Sequence, residues 1–177
     1  MEKKLSRKEI YDGKVVKLVV DDVVLENGNT SKREVVLHRG GACIALKDED
    51  GKFFMVKQYR YALGKEMLEF CAGKLEEGET PDEAIIREVE EELGYKAKNI
   101  KNLGHIIPTC GYCNEHIYLY YGECDIKTSQ HLDEDEDIKL YKYSFSEIKE
   151  MIKDGTIDDS KTIALMYRIE MAGLNHD

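Results

Sequence analysis

Residues 88 to 94 read EVEEELG, four glutamates within five positions ahead of a glycine. At helical spacing Glu88, Glu91 and Glu92 stand i,i+3 and i,i+4 apart, so their carboxylates share one face and repel by a few tenths of a kcal/mol per pair. They also lie at the C-terminal end of the helix, where the macrodipole is already negative. A local rule broken without local compensation points to function. Clustered carboxylate oxygens on a rigid face suit a hard divalent cation such as Mg²⁺, which takes few protein carboxylates, keeps several waters and accepts phosphate oxygens. The plain alternative is a solvated acidic helix face.

The elements that would position these groups are legible around them. Thr80 is a suitable N-cap with Glu83 completing a capping box, Pro81 occupies the first helical position and Gly94 terminates the run. Ile85, Val89 and Leu93 form an apolar stripe with Ile86 beside it, which sets the carboxylates at the flank of a core. The preceding loop, LEFCAGKLEEGET, carries Gly73 and Gly78, whose backbone freedom lets carbonyls approach a metal and amides a phosphate. Upstream, VVKLVVDDVVLE, Asn27-Gly28 and REVVLH predict a hairpin in an opening sheet that ends at Arg39-Gly40-Gly41. ACIALK and FFMVKQYR predict two strands joined by the polar turn DEDG, and HIYLYYGE reads as another strand. Two further helices are expected, SEIKEMIKDG after the Ser144/Glu147 capping pair and KTIALMYRIEMAG after Asp159 or Ser160.

The chain of 177 residues, 42% hydrophobic and 35% charged with two prolines, has a globular composition sized for one main domain. Its net charge of −10 disfavours nonspecific binding to nucleic acid or to an anionic membrane, yet leaves room for small anionic ligands bridged by metal. The basic N-terminus lacks an apolar core and no apolar run reaches membrane-spanning length, so a soluble cytoplasmic protein is expected. Five cysteines without framework spacing read as reduced thiols. Cys110-Gly111-Tyr112-Cys113 follows Pro108 and precedes a strand, which is the wrong setting for a thioredoxin-like dithiol.

Read together, GKLEEGETPDEAIIREVEEELGY at 73 to 95 resembles the Nudix box, GX5EX7REUXEEXGU with U aliphatic. Gly73, Glu79, Arg87, Glu88, Val89, Glu91, Glu92 and Gly94 match it, and Tyr95 departs as an aromatic. The resemblance extends along most of the chain and is closest to ADP-ribose pyrophosphatases and related nucleoside diphosphate sugar hydrolases. It implies an α+β fold in which a mixed sheet is sandwiched between helices (α/β/α), behind an N-terminal antiparallel β-sheet subdomain. The expected division is residues 1–40 for that subdomain, which swaps across a homodimer, and 41–177 for the catalytic domain.

The reaction implied is metal-dependent hydrolysis of the pyrophosphate bond of ADP-ribose to AMP and ribose 5-phosphate, with Mg²⁺ or Mn²⁺ as cofactor. By the same resemblance Glu88, Glu91 and Glu92 bind metal with the carbonyl of Ala72, and Glu79 pairs with Arg87 to brace the loop, with Gly73 and Gly94 as structural positions of the box. Arg60 and Arg33 contact substrate, Arg33 across the dimer, and Glu115 contacts ribose, although Cys110 stands where a proline is usual. Pro108 supplies the downstream proline associated with ADP-ribose specificity. In the acidic run DEDED, Glu134 and Glu136 align with a mobile catalytic loop, one glutamate as general base and one reaching metal, Glu136 being counted among the ligands. No Phe, Tyr or Trp lies between Tyr11 and Phe53, where relatives stack adenine; Tyr11, Tyr61 and Tyr112 are the substitutes. The competing readings are a hydrolase of another nucleotide sugar such as GDP-mannose, and a catalytically silent nucleotide-binding domain.

Overall fold

The structure, a computed structural model, describes residues 1–132 and 137–175. They form two compact units, residues 1–40 with 107–116, and residues 41–106 with the remainder from 117. Among the described residues no helix is long and apolar enough to cross a membrane.

The first unit is built on a three-stranded antiparallel sheet, β1 (Lys3–Asp12), β2 (Lys17–Val24) and β3 (Thr30–Leu37). On β2 the alternation of Val19, Asp21 and Val23 buries one face. Buried Asp21 is held in ionised form by a two-pronged bond from Arg7, Nε and Nη2 each at 2.7 Å. The Asn27-Gly28 turn is wider than a two-residue hairpin: the Leu25 carbonyl accepts from Gly28 N, and Leu25 N donates to Asn29 O. Gly28 takes the left-handed conformation (φ 84°) such a loop needs. All ten residues of β1 are exposed, so no hydrophobic alternation announces it in the sequence. The segment 107–116 lies along β3, with Val36 N donating to Tyr112 O (2.7 Å) and His38 N to Asn114 Oδ1 (2.7 Å).

The second unit has the expected α/β/α arrangement. Its sheet of seven strands comprises β4 (Gly41–Lys47), β5 (Phe53–Arg60), β6 (Lys65–Glu69), β7 (Cys71–Lys74), β8 (Tyr95–Ile106), β9 (Ile117–Lys127) and β10 (Lys139–Tyr143). The order is β10-β5-β4-β9-β8, with β6 on β5 and β7 on β4; β4 and β9 run parallel and the other pairs antiparallel. Successive β4 side chains point to opposite faces and enter separate cores. Ala42, Ile44 and Leu46 pack with Ala84, Ile85, Val89 and Leu93 of the box helix. Cys43 and Ala45 pack with Phe145 and Ile148 of α2 (Phe145–Lys153) and with Leu165, Met166 and Ile169 of α3 (Ser160–Met171). Ser144 and Glu147 form the capping box of α2, and Asp159 caps α3.

β4 and β5 pair only at Lys47 and Phe53 before they separate. β6 follows β5 and β7 follows β4, so the chain changes partner at Phe70 and arrives at Ala72 and Gly73. The box helix starts as α1 (Pro81–Glu88) and ends as a wider π turn, Val89–Leu93, stopped by Gly94 at φ 69°. Ile86, expected beside the buried stripe, is instead 53% exposed. A Cβ on Gly94 would lie 3.0 Å from Gln130 N in a left-handed backbone. Gly94→Ala is therefore expected to lower stability by about 1–2 kcal/mol, read from the urea midpoint; a wild-type midpoint would contradict this account of the helix end.

Candidate active site

The helix that carries the glutamates is fixed at its start. Thr80 Oγ1 accepts from Glu83 N (3.3 Å) while the Glu83 carboxylate accepts from Thr80 N (2.9 Å), completing the capping box. Asp82, in the first turn, accepts from the Tyr120 hydroxyl of β9 at 2.6 Å. Burial, then the Asp82 contact, pushes the Tyr120 phenol well above its ordinary value, so it stays a donor. These contacts set the axis along which the carboxylates emerge.

At the other end, Glu88 and Glu92 are 8% and 3% exposed, whereas the Glu91 side chain is 41% exposed. Arg87 gathers them. Its Nε and Nη2 donate to the two oxygens of Glu79 at 2.9 and 3.0 Å, and Nη2 also reaches Lys74 O at 3.3 Å. Its Nη1 donates to Glu88 Oε1 (2.8 Å) and Glu91 Oε2 (2.9 Å). The Glu79 bond raises the Arg87 pKa most, against burial, with the charges of Glu88 and Glu91 adding to it. In return Arg87 holds Glu79 below the usual carboxylate range. Loop and helix are thus joined by one guanidinium, whose planar fork serves three carboxylates.

The Glu88 carboxylate lies against the backbone of Gly73, where a Cβ would come within 1.6 Å of Oε1. Only glycine leaves this space open beside the Ala72–Gly73 backbone. Glu92 points toward Cys71, whose thiol is pushed far above its ordinary value by burial first and by the Glu92 charge next.

The donor set fits a hard divalent cation: oxygens from Glu88, Glu91 and Glu92, with the Ala72 carbonyl on the adjoining strand. Two of these carboxylates already share a cation, the Arg87 Nη1 group. Among the described residues no three His, Cys, Asp or Glu side chains converge closely enough to hold an ion as they stand.

The other expected residues fall elsewhere. Arg60 closes β5 and donates through Nε and Nη2 to Glu69 at 2.7 and 2.8 Å; that bond raises the Arg60 pKa most, with the charges of Glu69 and Glu92 adding to it. Arg33, on β3, is paired with Glu2 (2.5 Å) and bonded to Ser31 Oγ (2.9 Å). Glu115 lies 3.3 Å from His38 Nδ1, in the same unit as Arg33. Glu134 and Glu136 lie outside the described residues. Glu69, Lys161 and Cys71 were not singled out by sequence. The signal for Glu69 was available: a glutamate set between Met67-Leu68 and Phe70-Cys71, four apolar neighbours, is carried into the core with them and so requires partners for its charge.

Comparison with known proteins follows this geometry. The NUDIX domain family matches residues 37–166, and the nucleoside diphosphate sugar hydrolase N-terminal domain matches residues 2–36. The chain is 40% identical to a methanol dehydrogenase activator of Bacillus methanolicus, over 99% of this chain and 96% of the relative. It is 35% identical to an ADP-ribose pyrophosphatase of Bacillus subtilis (strain 168), over 94% and 91%. A GDP-mannose pyrophosphatase of Yersinia enterocolitica is 33% identical, over 86% of each chain. The crystal structure of an ADP compounds hydrolase shares the fold at TM-score 0.83 and 16% identity, covering 97% of this chain and 93% of that one.

The contact of Gly73 with Glu88 has a direct consequence for stability. Gly73→Ala should cost about 1–3 kcal/mol, as overpacking of a filled site does, and should cost little when Glu88 is first replaced by alanine. Equal costs in the two backgrounds, measured by urea unfolding, would show that the methyl group meets something other than Glu88.

Proposed function

The chain belongs to the Nudix family, and on that premise we propose that it hydrolyses the pyrophosphate bond of ADP-ribose to AMP and ribose 5-phosphate, with Mg²⁺ or Mn²⁺ as cofactor. The broader activity, hydrolysis of nucleoside diphosphate derivatives, follows from the family and from its pyrophosphatase relatives. The observation that carries the reading is the carboxylate edge of Glu88, Glu91 and Glu92, of which Arg87 holds Glu88 and Glu91 beside the glycine that leaves room for the Glu88 carboxylate.

Glu88, Glu91, Glu92 and the Ala72 carbonyl would hold the cation. When bound, it supplies charge compensation for the diphosphate and acidifies a water. The protein's part is positioning. Arg87 keeps Glu88 and Glu91 oriented, Glu79 fixes Arg87 to the loop, and Gly73 allows the carboxylate to meet the backbone. Water oxygen forms a bond to one phosphorus as the bridging P–O bond breaks, and the bridging oxygen leaves on the other monophosphate. In this proposal a loop glutamate, Glu134 or Glu136, takes the proton of the attacking water, and Glu136 joins the cation. Arg60 binds a phosphate or ribose. The N-terminal unit is the dimerisation element, exchanged between copies, and carries Arg33 and Glu115 as substrate contacts.

The preference for ADP-ribose is supported by the Bacillus subtilis relative, whose name gives that substrate. GDP-mannose is the second reading, favoured by the GDP-mannose pyrophosphatase relatives and by the lack of an aromatic residue between Tyr11 and Phe53.

Pure protein with Mg²⁺, offered ADP-ribose, NADH, GDP-mannose, UDP-glucose, diadenosine polyphosphates and 8-oxo-dGTP, should release AMP chiefly from ADP-ribose. Turnover chiefly of GDP-mannose would transfer the assignment to the second reading, and no turnover of any member would sink the activity. Glu92→Gln should lower kcat by at least about a hundredfold; unchanged turnover would remove Glu92 from the site.

A further inference from the structure

Within the second unit a row of charges runs inward from Arg60 through Glu69 and Lys161 to Asp159. Arg60 gives Nε and Nη2 to Glu69, which is 1% exposed. Lys161, 9% exposed, forms an ion pair with the same carboxylate and reaches Asp159 Oδ1 at 3.0 Å. Asp159 caps α3 through Thr162 N (2.9 Å) and accepts from the Thr162 hydroxyl (2.6 Å). That hydroxyl in turn accepts from Phe70 N at 3.0 Å, at the point where the chain passes from β6 to β7.

The signs alternate along this row, from Arg60 through Glu69 and Lys161 to Asp159. It is anchored in the protein at the Asp159 end and opens toward solvent at the other, where the Arg60 side chain is 38% exposed. Among the described residues Glu69 takes only the Nε and Nη2 edge of Arg60, so the Nη1 donors remain for a further acceptor. Burial pushes the Glu69 carboxyl up, but the bond from Arg60 and the charge of Lys161 outweigh it, so it stays ionised below the usual range.

We propose that Glu69 and Lys161 are positioning residues for substrate: Glu69 fixes the plane of the Arg60 guanidinium, and Lys161 shares the Glu69 charge so that Arg60 keeps its attraction for a diphosphate oxygen. The inference rests on the reading that Arg60 contacts substrate. Were Glu69 the partner of Arg60 alone, the buried pair would neutralise itself and its outer edge would bind an anion weakly. With Lys161 in place the anionic substrate extends the alternation by one step. The same contacts tie α3 to the strand crossing that leads to Ala72, so Arg60 and the loop carbonyl share one support.

The test is a pair of double-mutant cycles on the Mg²⁺-loaded enzyme with its best nucleoside diphosphate substrate, and on binding of AMP by calorimetry. Arg60→Ala should raise KM by about tenfold, the scale of one charge-assisted hydrogen bond. Glu69→Gln and Lys161→Met should each raise KM and the Kd of AMP several-fold, with most of the effect in KM rather than kcat, and Lys161→Arg should restore much of it. In the Arg60→Ala background neither change should weaken binding further. Equal losses with and without Arg60 would mean that Glu69 and Lys161 only hold the fold, and would overturn the proposal. An unchanged KM in Arg60→Ala would overturn it together with the role of Arg60, while leaving the hydrolytic activity intact. If Glu69→Gln does not fold, by circular dichroism, the Lys161→Met cycle decides alone.

Discussion

Everything at the candidate site depends on one guanidinium. Arg87 bonds Glu79, Glu88 and Glu91 at 2.8 to 3.0 Å, converting a like-charged helix edge into a network centred on a cation. Without it, the carboxylates at the negative end of the helix dipole would repel one another, and Glu88, nearly buried, would lose a charged partner. The repulsion that the local sequence imposes is therefore offset from a loop eight residues upstream of Arg87, through Glu79. Gly73 completes the arrangement sterically, since any side chain there would occupy the place of the Glu88 carboxylate.

The fold serves to bring that loop and that helix together. β4 lies between two cores and sends alternate residues into each, which fixes the sheet against α1 on one face and against α2 and α3 on the other. β5 and β4 separate after a single pair, and the chain enters the gap, first on β5 and then on β4. That change of partner delivers Ala72 and Gly73 to the flank of the helix. Phe70 N, released from the ladder at the crossing, is satisfied by Thr162 of α3.

Most of the helix was legible in the sequence because its signals are local: Thr80 with Glu83, Pro81 and Gly94 are read within a few residues of one another. The strands β4 and β5 were legible from their apolar runs. β1 was not, because all its residues are exposed and only pairing with β2 makes it a strand. β8 pairs with β9 through three register shifts, and its polar composition carries no clean alternation. The π turn at Val89–Leu93 is a change of hydrogen-bond register that an assumed helical period cannot show. The Glu69–Lys161 pair joins residues 92 apart in the chain, which no local pattern connects. The grouping of residues 107–116 with the N-terminal sheet is of the same long-range kind.

The central claim is that the edge formed by Glu88, Glu91 and Glu92 is a divalent-cation site. Titration of Mn²⁺ into the protein, followed by the electron paramagnetic resonance signal of the free ion, tests it without any substrate. Binding by the wild-type chain that weakens at least about tenfold in Glu88→Gln, with the fold retained, is the result expected for loss of a group that holds the metal. The same affinity in both proteins would contradict the claim and leave the acidic helix as a solvated face.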